Sequence, residues 1–362
     1  MPVQALSDLV QGLHHITLVT ANQEVNRKFY TEVLGLRRVK LTVNQDDVFH
    51  RHLFYADEKG STGSAITFFE WPELPRGYVG LGSAHHLSYT IPTLASVPKW
   101  VSWLRSKGVS VVGPLARDGR VSAYLRDPDG AIVELAALSD EKLSTEDVAG
   151  LAKDPPTVTE IGDDMKLTTF NHASPITTDP GLTVQFFEKF VGLQNKLTLP
   201  DPDQAGTSIV SIGNDRRPDF LRYLASPSAS YGQVGKGSIH HIAMAVEDDS
   251  DQLKIMRHLN DVGWRNSGII DRFWFHSLYF RDPDGNLLEI ATKNPGYTAD
   301  EPQETLGTRL ALPRWVEPRR EEIEAFLKRT DSDNPGTWPP RYPVTHTLPE
   351  ALPEATKPLD RR

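Results

Sequence analysis

Two pairs of residues that can bind a metal recur at one fixed spacing in this sequence. His86 and Glu134 are 48 residues apart, and so are His241 and Glu289. Each glutamate interrupts an apolar run that has the length of a strand. A carboxylate buried in such a run costs several kcal/mol unless it is paired or bound to a metal. The repetition therefore favours metal sites built from imidazole and carboxylate over isolated core residues.

A third ligand for each pair can come from His15 and His172, which occupy matching positions. His15 precedes Phe29 by 14 residues, and His172 precedes Phe186 by the same distance. Two neutral imidazoles and one carboxylate on one face of a metal leave its other positions open for substrate and O₂, as in non-haem Fe(II) oxygenases. The 362 residues include no cysteine, so thiolate ligands, disulfides and cysteine nucleophiles are excluded.

The same repeats define the architecture. The offset between the halves is 157 residues for His15 and His172, and 155 residues for His86 and His241. Two such offsets indicate a tandem duplication in which each half contains two related modules. The four modules lie at about residues 8–75, 80–139, 165–226 and 236–293.

Each module is predicted to run strand, helix, strand, strand, strand. Alternating apolar residues over 15–19 predict a first strand, and helical spacing over 22–34 predicts a helix that Gly35 ends. In modules two and four, an Asp-Pro-Asp-Gly turn at 127–130 and at 282–285 predicts a hairpin between the last two strands. The sequence therefore predicts an α+β fold of four βαβββ modules in two tandem domains.

The domain boundaries follow from these modules. We expect an N-terminal domain at 8–139, a linker at 140–164, a C-terminal domain at 165–293, and a C-terminal helix and Pro-rich tail over 294–362. The helix is predicted from Glu317 to Arg329, with Ile323 and Phe326 as its apolar contacts. Residues from about 330 onward are expected to be poorly ordered or to lie along the surface.

Composition excludes several classes of function. The formal net charge is −9 and no basic stripe stands out, so nucleic-acid binding is not expected. No run of about 18 apolar residues occurs, so no membrane span is expected. The first residues lack the features of a signal peptide, from which we expect a cytoplasmic protein. The oligomeric state stays open, and a homo-oligomer is one option.

At these residues the sequence resembles the vicinal oxygen chelate superfamily, which includes glyoxalase I, extradiol dioxygenases and bleomycin-resistance proteins. Within it, the chain is most similar to the hydroquinone ring-cleaving dioxygenases of the 2,6-dichlorohydroquinone dioxygenase type, over about residues 10–330. The stretches that carry the resemblance are Gly12-Leu13-His14-His15-Ile16-Thr17, Asp271-Arg272, Tyr279-Phe280-Arg281-Asp282-Pro283-Asp284-Gly285, Leu288-Glu289-Ile290-Ala291-Thr292, Gly296-Tyr297-Thr298 and Leu312-Pro313-Arg314-Trp315-Val316-Glu317-Pro318-Arg319.

The resemblance implies a non-haem Fe(II) centre, with Mn(II) as an alternative, that modules one and four share. Its ligands would be His15, His241 and Glu289. The family's second tier of site residues falls on His14, His240 and Tyr279, as catalytic candidates for proton transfer, and on Thr17 and Arg272, as substrate-binding candidates. His276 is a further substrate-binding candidate because it is close to them in sequence. A regular pleat would place His14 and His240 on the strand face opposite the ligands.

The implied reaction opens the ring of a small aromatic diol, a hydroquinone or a catechol, and incorporates both atoms of O₂. One feature departs from the family pattern, since His86, Glu134 and His172 form a second complete ligand set. That set predicts either a second metal site or a relic held by hydrogen bonds, and it leaves open which set performs the chemistry.

Two rival functions also stay open. A glyoxalase-type isomerase or lyase would polarise its substrate without O₂ and commonly uses a fourth carboxylate or amide ligand, for which Glu70 is the candidate in module one. A non-catalytic module that sequesters a drug or another aromatic ligand would have no need for two histidines and a buried glutamate.

Overall fold

Alternating apolar runs and short helices build the four modules that the repeat predicts. The computed structural model describes residues 4–139, 143–151, 153, 156–202 and 206–336. A short helix α1 (Gln4–Ser7) precedes the modules. The strands of modules one and two are β1 (Leu13–Thr20), β2 (Arg37–Asn44), β3 (Asp47–Ala56), β4 (Ala65–Glu70), β5 (His86–Thr90), β6 (Val111–Arg117), β7 (Arg120–Arg126) and β8 (Ile132–Leu138).

The second half repeats this order. Its strands are β9 (Phe170–Ser174), β10 (Ile176–Thr177), β11 (Gln194–Pro200), β12 (Ser208–Gly213), β13 (Leu221–Ala225), β14 (Ile239–Val246), β15 (Asn266–Asp271), β16 (His276–Arg281) and β17 (Leu287–Thr292). In each module a helix follows the first strand. These helices are α2 (Gln23–Lys28), α3 (Ser96–Ser106), α5 (Pro180–Phe186) and α6 (Asp249–Asp261). Helix α4 (Thr145–Leu151) lies between the two halves. Helices α2 and α5 continue as π-helical turns, Phe29–Val33 and Phe187–Val191.

The strands form two sheets that do not follow the two halves of the chain. The first sheet has the order β15-β16-β17-β14-β1-β4-β3-β2 and joins modules one and four. The second has the order β11-β12-β13-β9-β5-β8-β7-β6 and joins modules two and three, with β10 paired to β13. The first strands of the joined modules pair antiparallel, β1 with β14 and β5 with β9. The predicted α+β fold of βαβββ modules is confirmed, whereas the division into domains at 8–139 and 165–293 stays a prediction.

Local sequence signals explain where the helices begin and end. The side chains of Asn22, Asp179 and Asp248 accept hydrogen bonds from backbone N–H groups in the first turns of α2, α5 and α6. Gly35 has φ +72° beyond the π-helical turn that follows α2. This is the left-handed conformation that glycine adopts at a helix end, as the sequence predicts.

The Asp-Pro-Asp-Gly turns connect the two sheets. Asp127 accepts a hydrogen bond from the Tyr30 hydroxyl at 3.0 Å, and Asp282 accepts one from the Tyr223 hydroxyl at 2.7 Å. Each of these bonds joins modules that are consecutive in the chain but lie in different sheets. A single large apolar cluster, which draws on all four modules, fills the space between the sheets and their helices.

The linker and the tail differ in detail from the predictions. Residues 140–164 were expected to be a linker, and the described part of that segment contains α4 and a 3₁₀ turn at Asp163–Met165. The predicted C-terminal helix is α7 (Arg320–Asp333), which buries Ile323 and Leu327 beside Val43. The expected disorder beyond about residue 330 falls mostly on 337–362, which lie outside the described residues. No helix within the described ranges is both long and apolar enough to cross a membrane.

Candidate metal centre

Three neighbouring strands at the centre of the first sheet carry the proposed ligands. Strand β1 pairs antiparallel with β14, and β14 pairs parallel with β17. In this register His15 lies opposite Ala243, and Ala243 lies opposite Glu289, so the three residues form one row on one face of the sheet. His241 lies two residues before Ala243 and shares that face. The small side chain of Ala243 leaves room between His15 and Glu289.

The side chains of His15, His241 and Glu289 converge on one point. His15 Nε2 and His241 Nε2 are 3.3 Å apart, and Glu289 Oε2 lies 3.4 Å from the first and 3.1 Å from the second. All three residues are buried. Ser277 Oγ donates to Glu289 Oε1 at 2.5 Å, whereas Oε2 has no hydrogen-bond partner among the described residues. A buried carboxylate oxygen that faces two imidazole nitrogens without a hydrogen bond fits a divalent cation.

A pocket that is partly open to solvent lies in front of His15 and His241. Its other lining residues are mostly aromatic or polar: Asn44, Gln45, Asp46, His52, Phe54, Phe69, Arg272, Trp274, Phe275 and Tyr279. Pockets that bind small organic ligands commonly combine aromatic walls with a few polar groups that set the orientation of the ligand. The lining in front of the cluster has this composition.

Two β-bulges turn the neighbouring histidines onto the ligands. Leu13 and His15 pair with adjacent residues of β14, so His14 is the extra residue on β1, and His240 is the extra residue on β14 in the same way. As a result His14 Nδ1 lies 2.8 Å from His15 Nδ1, and His240 Nδ1 lies 2.8 Å from His241 Nδ1. The expectation that both outer histidines occupy the opposite face assumed a regular pleat, and the bulges remove that regularity.

The contacts of His14 set the tautomer of His15. The Thr292 carbonyl, which can only accept, lies 3.1 Å from His14 Nε2, so this nitrogen carries the proton and His14 Nδ1 has a lone pair. His15 Nδ1–H donates to that lone pair, which leaves His15 Nε2 without a proton and directed at the site. Ligand histidines are commonly held through their second nitrogen in this way. Both nitrogens of His14 are thus engaged in a geometry that can position His15, and proton transfer by His14 stays a prediction.

His240 and Thr17 act on His241. The His240 ring meets the rings of Phe69 and Trp71, at centroid distances of 5.3 and 5.8 Å. Thr17 Oγ1 lies 2.9 Å from His241 Nε2. Neither His240 nor Thr17 is among the residues that line the pocket. His240 contacts the outer nitrogen of the ligand and can orient it, whereas Thr17 contacts Nε2, the nitrogen that faces the proposed metal position.

Arg272 and Tyr279 do reach the pocket. Arg272 donates to both carboxylate oxygens of Asp46, at 3.0 and 2.8 Å. Its guanidinium lies 5.5 Å from the centre of the Tyr279 ring, and that ring meets the edge of His241 at 5.7 Å. Burial raises the pKa of Tyr279 above its ordinary value, so its hydroxyl stays protonated and can donate a hydrogen bond.

Two other candidates lie outside the pocket. His276 occupies the face of β16 opposite to Ser277 and Tyr279, and its Nδ1 lies 2.5 Å from Asp249 Oδ1. The structure therefore does not place His276 among the residues that line the pocket, because alternate residues of a strand face opposite sides. Its contact with a substrate stays a prediction. Glu70 binds Arg51 Nη1 at 2.7 Å and the Gln23 backbone N–H at 2.8 Å, so its carboxylate is already used away from the ligands.

The protonation of the cluster suits a metal. Burial opposes ionisation of Glu289, yet the positive charge and hydrogen bonds that His15 and His241 supply when protonated hold the pKa of this carboxyl well below its usual range. A divalent cation would supply that charge in place of the imidazolium protons. Burial lowers the pKa of His241, which favours its neutral form. An ionised carboxylate and neutral imidazoles are the forms that bind divalent cations.

The second ligand set also comes together. His86, Glu134 and His172 lie on the neighbouring strands β5, β8 and β9 of the second sheet, and all three are buried. One donor atom from each lies within 4.8 Å of the others, as in the first set. The fold therefore contains two candidate metal centres, one in each sheet.

A model of the Glyoxalase/Bleomycin resistance protein/Dioxygenase superfamily matches residues 12–135 and 169–290. The chain belongs to this superfamily. The two matched segments correspond to the two halves of the duplication, and each contains one ligand of one candidate centre and two ligands of the other.

Relatives extend the likeness over almost the whole described chain. "Putative ring-cleaving dioxygenase MhqA" of Bacillus subtilis is 32% identical over 326 residues, which cover 88% of this chain and 98% of that protein. The "Chlorohydroquinone/hydroquinone 1,2-dioxygenase" of Sphingobium indicum is 27% identical over 338 residues, 91% of this chain and 98% of that protein. The crystal structure of a "putative dioxygenase" from Bacillus subtilis has a TM-score of 0.75 at 32% identity and covers 88% of this chain and 96% of that chain.

Sequence reasoning missed His52 and the aromatic walls of this superfamily member's pocket. His52 lies on β3, between the rings of Phe54 and Phe69, and its Nε2 is 2.9 Å from Thr67 Oγ1. Thr67 Oγ1 is in turn 2.7 Å from Thr17 Oγ1. His52 has no motif around it, and only the order of strands in the sheet brings it near the ligands. Alternation along β3 was the one signal that placed it on the same face as Phe54.

The contact between His14 Nδ1 and His15 Nδ1 predicts a selective effect of substitutions at His14. Replacing His14→Ala is expected to weaken metal binding by about 10- to 100-fold, because His15 loses the acceptor that orients it. His14→Asn is expected to restore most of the affinity, since its side-chain oxygen can accept the same hydrogen bond. Titration of the metal-free protein with Mn(II) measures both values. Equal affinities for the alanine and asparagine variants would contradict the positioning role.

Proposed function

We propose that this protein is a ring-cleaving dioxygenase that opens a hydroquinone or catechol-type ring with O₂, using Fe(II) held by His15, His241 and Glu289. The observation that carries the proposal is the buried Oε2 atom of Glu289, which lies 3.1 and 3.4 Å from two imidazole nitrogens without a hydrogen bond. This cluster lies behind an aromatic pocket, and relatives of nearly full length have the names of ring-cleaving dioxygenases.

The donor set fits a metal that must accept other ligands. Two imidazoles and one carboxylate occupy one face, so other positions remain for a diol and for O₂. Fe(II) bound there would supply the redox chemistry that joins O₂ to the ring, and the same donors also accept Mn(II). Oxygen and nitrogen ligands do not by themselves select between the two metals, so the choice of iron belongs to the proposal.

The protein's own residues would bind and orient the ring. Phe54, Phe69, Trp274 and Phe275 provide flat apolar walls that exclude water from the reacting carbons. Arg272 offers a cation to a phenolate oxygen or to an anionic ring substituent, and its bidentate contact with Asp46 fixes the direction of the guanidinium. Binding the ring beside the metal in a fixed orientation would lower the entropic cost of bringing the reactants together.

Two pocket residues would hydrogen-bond to the oxygens of a bound diol. Tyr279 is protonated and can donate to an oxygen that becomes negative. Burial, and then the nearby His15, hold the pKa of His52 well below its usual range, so its imidazole is neutral and only weakly basic. His52 would therefore orient a substrate hydroxyl through a hydrogen bond, while Thr67 holds its ring in place.

The same geometry favours this function over the two rivals. Glu70 was the candidate fourth ligand of a glyoxalase-type enzyme, and it is engaged by Arg51 and by the Gln23 N–H. A binding module without catalysis would gain nothing from the desolvation of Glu289, which costs free energy unless a cation compensates for it.

The deciding experiment is oxygen uptake by protein loaded anaerobically with Fe(II) and, separately, with Mn(II). We expect one O₂ consumed per ring opened with hydroquinone, chlorohydroquinone or catechol, and no uptake by metal-free protein. His276→Ala is the matched control, since that histidine lies on the same sheet but outside the pocket. It should keep the wild-type rate.

Two results would contradict these expectations. Metal-loaded protein that consumes no O₂ with any of the three diols, but converts the hemithioacetal of methylglyoxal and glutathione, would replace the dioxygenase by the isomerase. Loss of uptake in His276→Ala with an unchanged melting temperature would mean that the pocket extends to the other face of β16.

A further inference from the structure

The second cluster, His86, Glu134 and His172, repeats the first in its details. Glu134 Oε2 lies 3.6 Å from His86 Nε2 and 3.2 Å from His172 Nε2. The two imidazole rings have centroids 5.4 Å apart at an interplanar angle of 83°, and the corresponding values for His15 and His241 are 5.4 Å and 85°. The duplication has therefore kept the geometry of the donors and not merely the residue types.

The residues that orient the ligands are also reproduced. His85 Nδ1 lies 2.8 Å from His86 Nδ1, as His240 does from His241. Asn171 is the extra residue of a β-bulge in β9, and its Oδ1 accepts from His172 Nδ1 at 2.8 Å. That bond leaves His172 Nε2 without a proton and directed at Glu134. A cluster that had lost its ligand would not need a neighbour that fixes this tautomer.

Polar atoms around the cluster lack partners. Tyr124 donates to Glu134 Oε1 at 3.0 Å, but Glu134 Oε2 has no hydrogen-bond partner within the described chain. Ser88 pairs with His172 on one side and with Glu134 on the other. Its side chain is fully buried, and its hydroxyl also has no hydrogen-bond partner within the described chain. A relic held together by hydrogen bonds would satisfy these atoms, because each unpaired buried polar group costs about 1–3 kcal/mol. A cation at the cluster would pair with the carboxylate oxygen.

The pocket in front of this cluster differs from the first in charge. It is lined by Arg117, Arg120 and Arg222, with Asp118 and Glu134 as its acidic residues. Arg120 and Arg222 are buried. They share Asp219 at 3.4 and 3.3 Å, and Arg222 also binds Asp118 at 2.9 Å. Together with a divalent ion, these two buried arginines would carry four positive charges against the three negative charges of Glu134, Asp118 and Asp219, so the assembled site would attract an anion.

We propose that His86, Glu134 and His172 bind a second divalent metal ion and that the pocket in front of it binds a small organic carboxylate. A guanidinium presents two parallel N–H groups that match the two oxygens of a carboxylate. The apolar side chains of Ile209 and Leu224 and the ring of Tyr124 line the same pocket and suit a short carbon body. This inference does not depend on the proposed ring cleavage, which belongs to the other sheet.

Metal stoichiometry tests the first half of the proposal. Metal-free protein is loaded with Co(II), freed of excess ion, and analysed for cobalt, beside the matched variants Glu134→Gln and Glu289→Gln and the double variant. We expect two ions per chain in the wild type, one in each single variant and none in the double variant. One ion in the wild type and in Glu134→Gln, with none in Glu289→Gln, would overturn it. Melting temperatures confirm that each variant is folded.

Anion dependence tests the second half, in the Glu289→Gln protein so that only the second cluster is filled. Benzoate is expected to tighten Co(II) binding by at least about 10-fold, the equivalent of one charge-assisted contact. Arg222→Gln should abolish this effect and keep the metal, whereas Arg126→Gln, a buried arginine outside the pocket, should preserve it. Tightening by inorganic phosphate but not by benzoate would overturn the carboxylate assignment. If neither anion had an effect, Arg120 and Arg222 would only form ion pairs with Asp118 and Asp219, and the proposed anion site would be wrong.

The metal count and the oxygen-uptake experiment test the two proposals independently. A chain that binds two cobalt ions but consumes no O₂ contradicts only the dioxygenase. A chain that consumes O₂ and binds one ion contradicts only the second centre.

Discussion

Replacing Glu289 by glutamine is expected to remove Fe(II) from the centre of the first sheet and to lower kcat/KM for ring opening by about 1,000-fold or more, equivalent to about 4 kcal/mol of transition-state stabilisation. Glutamine has nearly the same shape, and its amide oxygen can still accept from Ser277, so the strand should keep its place. The variant lacks only the negative charge that opposes the cation. Iron content and steady-state oxygen uptake, measured on the same preparation, check both effects.

The matched control is Glu70→Gln. Glu70 is also a buried carboxylate of the first sheet, and it occupies the last strand of its module as Glu289 does. It is paired with Arg51 at 2.7 Å instead of with histidines. Its loss leaves a buried arginine with a weakened partner set, which should lower the melting temperature while iron content and kcat/KM stay near wild type. Wild-type activity in Glu289→Gln would mean that the reaction takes place at another site, for which the second cluster would be the first candidate.

The architecture was readable from the sequence wherever a pattern is local and repeated. The 48-residue spacing predicts that a histidine on a first strand meets a glutamate on a last strand, and in both sheets those strands are parallel neighbours. The Asp-Pro-Asp-Gly turns have a strict conformational requirement, so the hairpins they predict are present. Alternation along the strands was strong enough to predict four βαβββ modules.

The pairing of modules was not encoded in any local pattern. The sequence order suggests domains at 8–139 and 165–293, yet β1 pairs with β14 and β5 with β9. Such pairing depends on contacts between segments more than 200 residues apart for β1 and β14, and no short motif specifies them. Only the resemblance to a known family implied that modules one and four share a metal.

Details of the site escaped prediction for two different reasons. The bulges at His14, His240 and Asn171 have no sequence signature, so the contact between each outer side chain and its ligand could not be foreseen. The placement of His276 was predictable, because alternation puts it on the face opposite to Tyr279. Proximity in sequence favours His276 as a pocket residue, whereas the strand period places it on the other face, where the structure has it.

Buried neutral histidines make the stability of the metal-free protein depend steeply on pH. Burial is the main reason why six histidines have a lowered pKa, to about 3 for His14 and His240. The others are His52, His85, His172 and His241. In the unfolded chain each has an ordinary pKa near 6.5. The unfolded chain therefore takes up protons below about pH 6.5, whereas the folded chain resists until much lower pH.

This difference in proton uptake means that the folded protein loses stability as the pH falls. Stability from these groups is fully present above about pH 6.5 and is lost as the pH falls toward 3. Three carboxyls act in the opposite sense, because burial raises the pKa of Asp127 to about 7, that of Asp282 to about 6, and that of Asp129 above its usual value. Six imidazoles against three carboxyls leave a net difference of about three protons, so the free energy of unfolding should fall by at most about 4 kcal/mol per pH unit near pH 5.5.

Urea unfolding of chelator-treated protein at pH 7.5, 6.5 and 5.5, at constant ionic strength, measures this slope. We expect the midpoint to fall at each step, and we expect His14→Asn to reduce the slope by about one proton while it preserves the acceptor for His15. A midpoint that did not change between pH 7.5 and 5.5 would mean that the folded protein already holds these imidazoles protonated. They would then be hydrogen-bond donors to Glu289 and Glu134, and not the neutral ligands that a divalent cation requires.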